Sequence, residues 1–131
     1  MTAGTAVPLA WSQAFPATPA HAREARRSLA RILDGRPAAD DAALCLSELA
    51  ANATLHSRSR NGGHFTVRAE MRHGDRLHVE VTDQGGPWGP HPSGDEQHGH
   101  GLLIVSQIAR NWGVSGDSDT GWTAWFEIDC Q

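Results

Sequence analysis

The stretch Leu44-Cys-Leu-Ser-Glu48-Leu-Ala-Ala-Asn52-Ala-Thr-Leu-His56 has the apolar pattern of a helix, interrupted at strict four-residue steps by a carboxylate, a carboxamide and an imidazole. Residues four apart on a helix lie one turn above another. Glu48, Asn52 and His56 therefore share a stripe, while Leu44, Cys45, Leu49 and Ala53 can face a core. The acid can accept a proton or orient a hydroxyl. One turn on, the amide oxygen can serve as a hard-cation ligand of the kind Mg2+ accepts among waters and phosphates. A Glu and an Asn also suit the plain solvated face of a helix, so the choice rests on the flanking chain.

Working back from this stretch, Asp40 and Asp41 stand where carboxylates cap free amides and favour the positive end of the helix dipole, which places the helix at about 39–56. Before it, Asp34-Gly-Arg-Pro37 stops an earlier helix that begins at Thr18-Pro19 and runs to about 33. Ala22, Ala25, Leu29, Ile32 and Leu33 form its apolar face, and Arg23, Arg27 and Arg31 a basic stripe, suited to solvent or to an acidic partner protein. Leu9-Ala-Trp11-Ser-Gln-Ala-Phe15 suits a short edge strand, and residues 1–8 read as a disordered lead-in.

Working forward, a polar loop ends in Gly62-Gly63, after which Phe65, Val67, Ala69 and Met71 alternate over 64–72. His73-Gly-Asp75 is a tight turn, and Leu77, Val79 and Val81 alternate again, giving a hairpin. The second strand ends in Asp83-Gln-Gly-Gly-Pro87. From 84 to 98 there is no periodicity, but many glycines and prolines and two histidines, as in a functional lid or a mobile segment. Gly99-His-Gly101 opens an aliphatic helix over 102–109 that continues to about 111, and glycines at such a start let an anion approach free amides. Another strand begins at Val114. A turn follows over 116–121, and Trp122, Ala124, Phe126 and Ile128 alternate in a last strand.

A chain of 131 residues is one domain's worth, long enough to bury a core without staples. The net charge of -4 gives no global reason to bind nucleic acid or an anionic membrane. The two cysteines are too few and scattered for a disulfide framework or a zinc site, and the longest aliphatic run, 102–105, cannot span a bilayer. A cytoplasmic protein fits these features. Tight turns between strands make the sheet mixed and mostly antiparallel, with three helices on one face, a two-layer α/β sandwich. The polar stripe, Asp83, the glycines and the helix start could converge into one cleft with nucleotide-like demands. Taken singly, Asp83 could equally be a turn-capping carboxylate, and Gly-His-Gly only a helix entry.

In this order the motifs resemble the Bergerat-fold ATP-binding superfamily, and within it the small anti-sigma-factor serine/threonine kinases, over nearly the whole chain. Glu48-Leu-Ala-Ala-Asn52 with His56 is similar to the first box of that family. The match implies that Glu48 is the general base and that Asn52 holds Mg2+; it assigns no role to His56. Asp83-Gln-Gly85 resembles the next box, implying that Asp83 meets the adenine amine while Gly85 and Gly86 let the backbone approach the base. Gly99-His100-Gly101-Leu102 resembles the box whose amides hold the phosphates, and Gly121-Trp-Thr123 the Gly-x-Thr whose threonine helps bind adenine.

The resemblance implies ATP and Mg2+ as cofactors, a small anti-anti-sigma-type antagonist as substrate, a sigma factor as a further partner, and a homodimer. A non-catalytic, nucleotide-gated regulator is the alternative, and a sensor histidine kinase catalytic domain the third reading. Three features depart from the pattern. Pro87 stands where a glycine is frequent, Pro90 and Pro92 restrict the lid, and His100 replaces an Arg, so that charge there would follow pH. The spacing of His91, His98 and His100 fits no standard metal site.

Overall fold

The computed structural model describes residues 9–56, 62–85 and 100–130, with His56, His100 and Gly101 placed by backbone only. Its elements run β1 (Ala10–Pro16), α1 (Pro19–Ile32), α2 (Ala39–His56), β2 (His64–Arg72), β3 (Arg76–Thr82), α3 (His100–Ile108), β4 (Asn111–Asp117) and β5 (Gly121–Asp129). Thr18 caps α1 as its sequence requires: its Oγ1 accepts from the His21 amide at 3.2 Å and Pro19 takes the first turn. The expected lead-in over 1–8 lies outside the described residues.

The strand order is β1-β2-β3-β5-β4. Every pairing is antiparallel, where a mixed, mostly antiparallel sheet was expected. The reason is topological. β3 and β4 run in the same direction, but β5 inserts between them and pairs antiparallel with both, so the parallel contact never forms.

The pleat divides the sheet. Phe65, Val67, Ala69, Leu77, Val79, Val81, Ala124, Phe126 and Ile128 turn to the helices and are buried. α2 is the central helix. Ala42, Cys45, Leu46, Leu49, Ala50 and Ala53 are all buried, and it packs against α1, α3 and strands β2, β3 and β5. Its small residues let these neighbours approach on several sides, which explains why its apolar surface is not a narrow stripe.

The other sheet face carries a polar network. His78 is 7% exposed, stacks on Trp125 at 5.4 Å, and lies 2.9 Å through Nδ1 from Glu127 Oε2 and 2.9 Å through Nε2 from Glu80 Oε2. Arg72 and Asn111 donate to Glu127 as well.

At the junction of α3 and β4 both boundaries differ from expectation. α3 ends at Ile108 rather than near 111, and β4 begins at Asn111 rather than Val114. The Arg110 amide donates to the Glu127 carbonyl at 2.8 Å, and the Asn111 side chain to Glu127 Oε1 at 3.2 Å. Pairing with β5 thus draws these residues out of the helix and into the sheet.

Candidate nucleotide site

Asp83 follows the last residue of β3, on the side of the sheet that Val81 and the helices share. Its backbone amide donates to the Trp122 carbonyl at 2.9 Å. Its Oδ1 accepts from two amides, Gly85 at 2.7 Å and Trp122 at 3.2 Å. No described residue donates to Oδ2. Burial raises the pKa of the carboxyl above the usual aspartate range, and the hydrogen bonds from Gly85 and Trp122 only partly offset this. A half-buried carboxylate with one oxygen fixed and the other open is suited to accept a hydrogen bond from a ligand amine.

Backbone crowds this carboxylate from behind. Gly85 has φ +87°, and a Cβ there would overlap the Ser118 carbonyl oxygen. Gly121 has φ +123°, and a Cβ there would come within 2.5 Å of the Asp83 carbonyl oxygen. Glycine is required at both positions by conformation and by space.

Glu48 and Asn52 stand one turn apart on α2, both half-buried. Asn52 Nδ2 is buried and has no partner among the described residues. One turn before Glu48, burial pushes the Cys45 thiol up to about 12, and the charges of Asp41 and Glu48 add to the shift. That cysteine stays protonated beside the stripe. His100 opens α3, so Gly101 and Leu102 belong to its first turn, where amides lack helical acceptors. Leu102 is fully buried and anchors that turn to the core.

Thr123 is placed differently from the other expected site residues. It pairs with Thr82, next to the buried pair Val81 and Ala124, so alternation sends both threonines to the face away from the helices. Their hydroxyls meet each other at 2.9 Å. The residue that reaches Asp83 is Trp122, through its backbone. A contact made by main-chain atoms leaves no side-chain signature; only the adjacency of β3 and β5 creates it. Gly86, Gly99, Pro87, Pro90, Pro92, His91, His98 and the lid expected over 84–98 lie, apart from Gln84 and Gly85, outside the described residues.

The far side of the sheet has a cavity of about 240 Å³ lined by Trp11, Ser12, Arg68, Glu70, His78 and Glu80. Its carboxylates already have cationic or imidazole partners, Glu70 with Arg72 and Glu80 with Arg68 and His78. It therefore presents a ligand with no carboxylate left in need of a partner.

The family model described as a histidine kinase-like ATPase domain matches residues 15–126. The chain belongs to this family. The ATPase domain is also similar to solved structures. One holds the RsbU and RsbW domains of Rv1364c from Mycobacterium tuberculosis, with TM-score 0.73 and 19% identity over 92% of this chain and 32% of that one. Another is the SiaB-SiaC complex from Pseudomonas aeruginosa, with TM-score 0.70 and 14% identity over 92% and 89%. A third is the histidine kinase domain of a blue-light activated histidine kinase from Erythrobacter litoralis, with TM-score 0.55 and 22% identity over 88% and 61%. The chain thus spans about a third of the first of these. At these identities the likeness is one of fold. No curated protein matches the chain.

A histidine kinase-like ATPase domain implies ATP as its ligand, and the residues present fit one. Among the described residues nothing donates to Asp83 Oδ2, and the buried Asn52 Nδ2 has no acceptor, a place that a phosphate oxygen could take. Asn52 Oδ1 offers one hard oxygen donor, and no group of three His, Cys, Asp or Glu residues among the described residues could hold a metal. That donor set suits Mg2+, which takes one or two protein oxygens and completes its shell with phosphate and water. No helix among the described residues is long and apolar enough to cross a membrane.

Proposed function

We propose that this ATPase domain is an ATP- and Mg2+-dependent protein kinase of the anti-sigma-factor type. It transfers the terminal phosphoryl group to a serine or threonine of a small antagonist protein and also sequesters a sigma factor. The observation that carries the reading is the α2 stripe, where Asn52, whose Nδ2 has no partner among the described residues, lies one turn from the Glu48 carboxylate. A pure binder has no need of a base beside its metal ligand.

In this reading Glu48 orients the attacking hydroxyl and takes its proton as the new O–P bond forms and the bond to the leaving ADP breaks. Asn52 would hold the cation, and Mg2+ bound there would supply charge stabilisation on the phosphates. Amides in the first turn of α3, with Gly99 before them, hold phosphate oxygens. Asp83 accepts from the adenine amine, with Gly85 and Gly86 permitting close approach of the backbone. Thr123 supports this wall of the site through its bond to Thr82 rather than by touching the base.

A protein acceptor is supported by the similarity to a structure that is itself a complex of two proteins, SiaB with SiaC. Arg23 and Arg27 are exposed on α1 without ion pairs to described residues, and the Arg31 side chain, also exposed, donates to Ser28 Oγ and has no carboxylate partner among the described residues. They offer cations to an acidic partner. A homodimer and a cytoplasmic location complete the proposal.

The test is labelling with ATP radioactive in its terminal phosphate, in extract of the native cell with Mg2+. Acid-stable label on a small protein, present with the wild type and absent with Glu48→Gln that still binds ATP, is the expected result. Full labelling by Glu48→Gln would remove the assigned base. Acid-labile label on this chain itself would favour the sensor histidine kinase reading, and ATP binding with no transfer the nucleotide-gated regulator.

A further inference from the structure

We propose that Asp117 is a positioning residue for Asp83: by closing the β4–β5 turn it seats the Ser118 carbonyl against Gly85 and so holds the amides that orient the Asp83 carboxylate. The proposal rests on the reading of Asp83 as the group that meets the adenine amine.

Asp117 ends β4 and pairs with Gly121 at the start of β5. Its Oδ1 accepts from three donors in the turn, the amides of Asp119 at 2.9 Å and Thr120 at 2.7 Å and the Thr120 hydroxyl at 2.9 Å. These bonds, the Thr120 amide foremost, hold its carboxyl below the usual aspartate range. The carboxylate is exposed and has no cation partner among the described residues, so its interactions are spent on the turn alone.

The turn in question is the one that touches the site. Ser118 lies within it, and its carbonyl occupies the space that a side chain at Gly85 would need. Gly121, with φ +123°, backs onto the Asp83 carbonyl, and Trp122 exchanges two hydrogen bonds with Asp83. Three points of one hairpin, at residues 118, 121 and 122, thus brace the segment Asp83 to Gly85. Without the Asp117 acceptor the turn opens, Ser118 recedes, and the Gly85 amide is no longer held at Asp83 Oδ1. Asp119 and Thr120 are exposed and Ser118 is half-buried, so loosening the turn is a local opening that leaves the β3–β5 ladder in place.

The experiment compares Asp117→Ala with Asp117→Asn, which keeps an oxygen acceptor. Amide hydrogen exchange is first followed in nucleotide-free protein. Asp117→Ala should speed exchange at Gly85 by about fivefold, the scale of one lost side-chain cap, with the Val67 amide in the β1–β2 ladder unchanged. Asp117→Asn should restore most of the protection. Affinities for ATP and for ITP, which carries an oxo group in place of the amine, are then measured. Asp117→Ala should weaken ATP binding by about fivefold on the same argument and leave ITP binding unaltered.

Unchanged exchange at Gly85, or equal loss for the two nucleotides, would overturn the proposal. Failure of the underlying reading has a different signature: a wild type indifferent to ATP and ITP, with exchange at Gly85 still accelerated in Asp117→Ala. That result would remove Asp83 as the adenine group and leave Asp117 a brace of the turn only.

Discussion

Replacing Gly85 by alanine probes the link between the β4–β5 turn and the Asp83 segment with a single methyl group. Two effects add. Gly85 has φ +87°, a left-handed conformation that costs about 1 kcal/mol for a residue with a Cβ. The new methyl would also overlap the Ser118 carbonyl, which is backbone and cannot swing aside like a side-chain end; relieving such overpacking costs about 1–3 kcal/mol. Gly74 separates the terms, since it has φ +79° and nothing within 4 Å of an added Cβ. Gly74→Ala should therefore lose only the conformational part. In urea unfolding followed by tryptophan fluorescence, the extra loss in Gly85→Ala should lower its midpoint by about 1 M relative to Gly74→Ala, for a slope of about 2 kcal/mol/M. Equal midpoints would refute the contact between Ser118 and Gly85. ATP affinity should fall in Gly85→Ala and not in Gly74→Ala.

Three further outcomes follow from the buried polar and thiol groups. His78→Leu should destabilise by about 1–3 kcal/mol because Glu127 and Glu80 lose a shared partner, and a double-mutant cycle with Glu127→Gln should give a coupling of about 1 kcal/mol; zero coupling would contradict the network. Stability against pH should respond in opposite senses at two carboxyls. At Glu127 burial opposes the charge, but the hydrogen bonds of His78 and Asn111 and the charges of His78 and Arg72 prevail and lower its pKa. Its contribution is present above the ordinary glutamate range and lost as pH falls through its native value, so Glu127→Gln should be more damaging at pH 7 than in acid. Asp83 is raised by burial, so its contribution is present in acid and fades as pH rises; Asp83→Asn should gain on the wild type between acid and neutral pH, by urea midpoints at each pH. Finally, Cys45, with its thiol pushed up to about 12, should resist thiol reagents in the native state and react only at the rate of unfolding; prompt labelling would show the site to be open.

The elements that carry their own periodicity and end signals were legible in the sequence. The spans 39–56 and 64–72 match α2 and β2, because Asp40 and Asp41 mark one start and strict alternation the other. β1 sits one residue later than the stretch expected from Leu9, since its limits are set by pairing with β2 rather than by local pattern. The start of β4 was hidden for the same reason: Arg110 and Asn111 are drawn to Glu127, 16 or 17 residues on, and no local rule anticipates that. In the candidate site, Glu48, Asn52 and Asp83 stand out in the sequence as polar side chains at marked positions, and their roles belong to the proposal. Thr123 was read from a motif, yet which face it occupies depends on the register of β5 against β3. The Trp122 amide and the Ser118 carbonyl act as backbone, so residue identity says nothing of their part.

The α2 stripe and Asp83 are held to be two walls of one Mg2+-nucleotide pocket, and an equilibrium titration of ATP with and without Mg2+ addresses that most directly. The wild type should bind ATP more tightly when Mg2+ is present. Asn52→Ala and Asp83→Asn should each weaken binding by about tenfold, the scale of one lost hydrogen bond or ligand to a charged partner, and only Asn52→Ala should abolish the Mg2+ dependence. A folded wild type that does not bind ATP, or binds it equally well after both substitutions, would contradict the account.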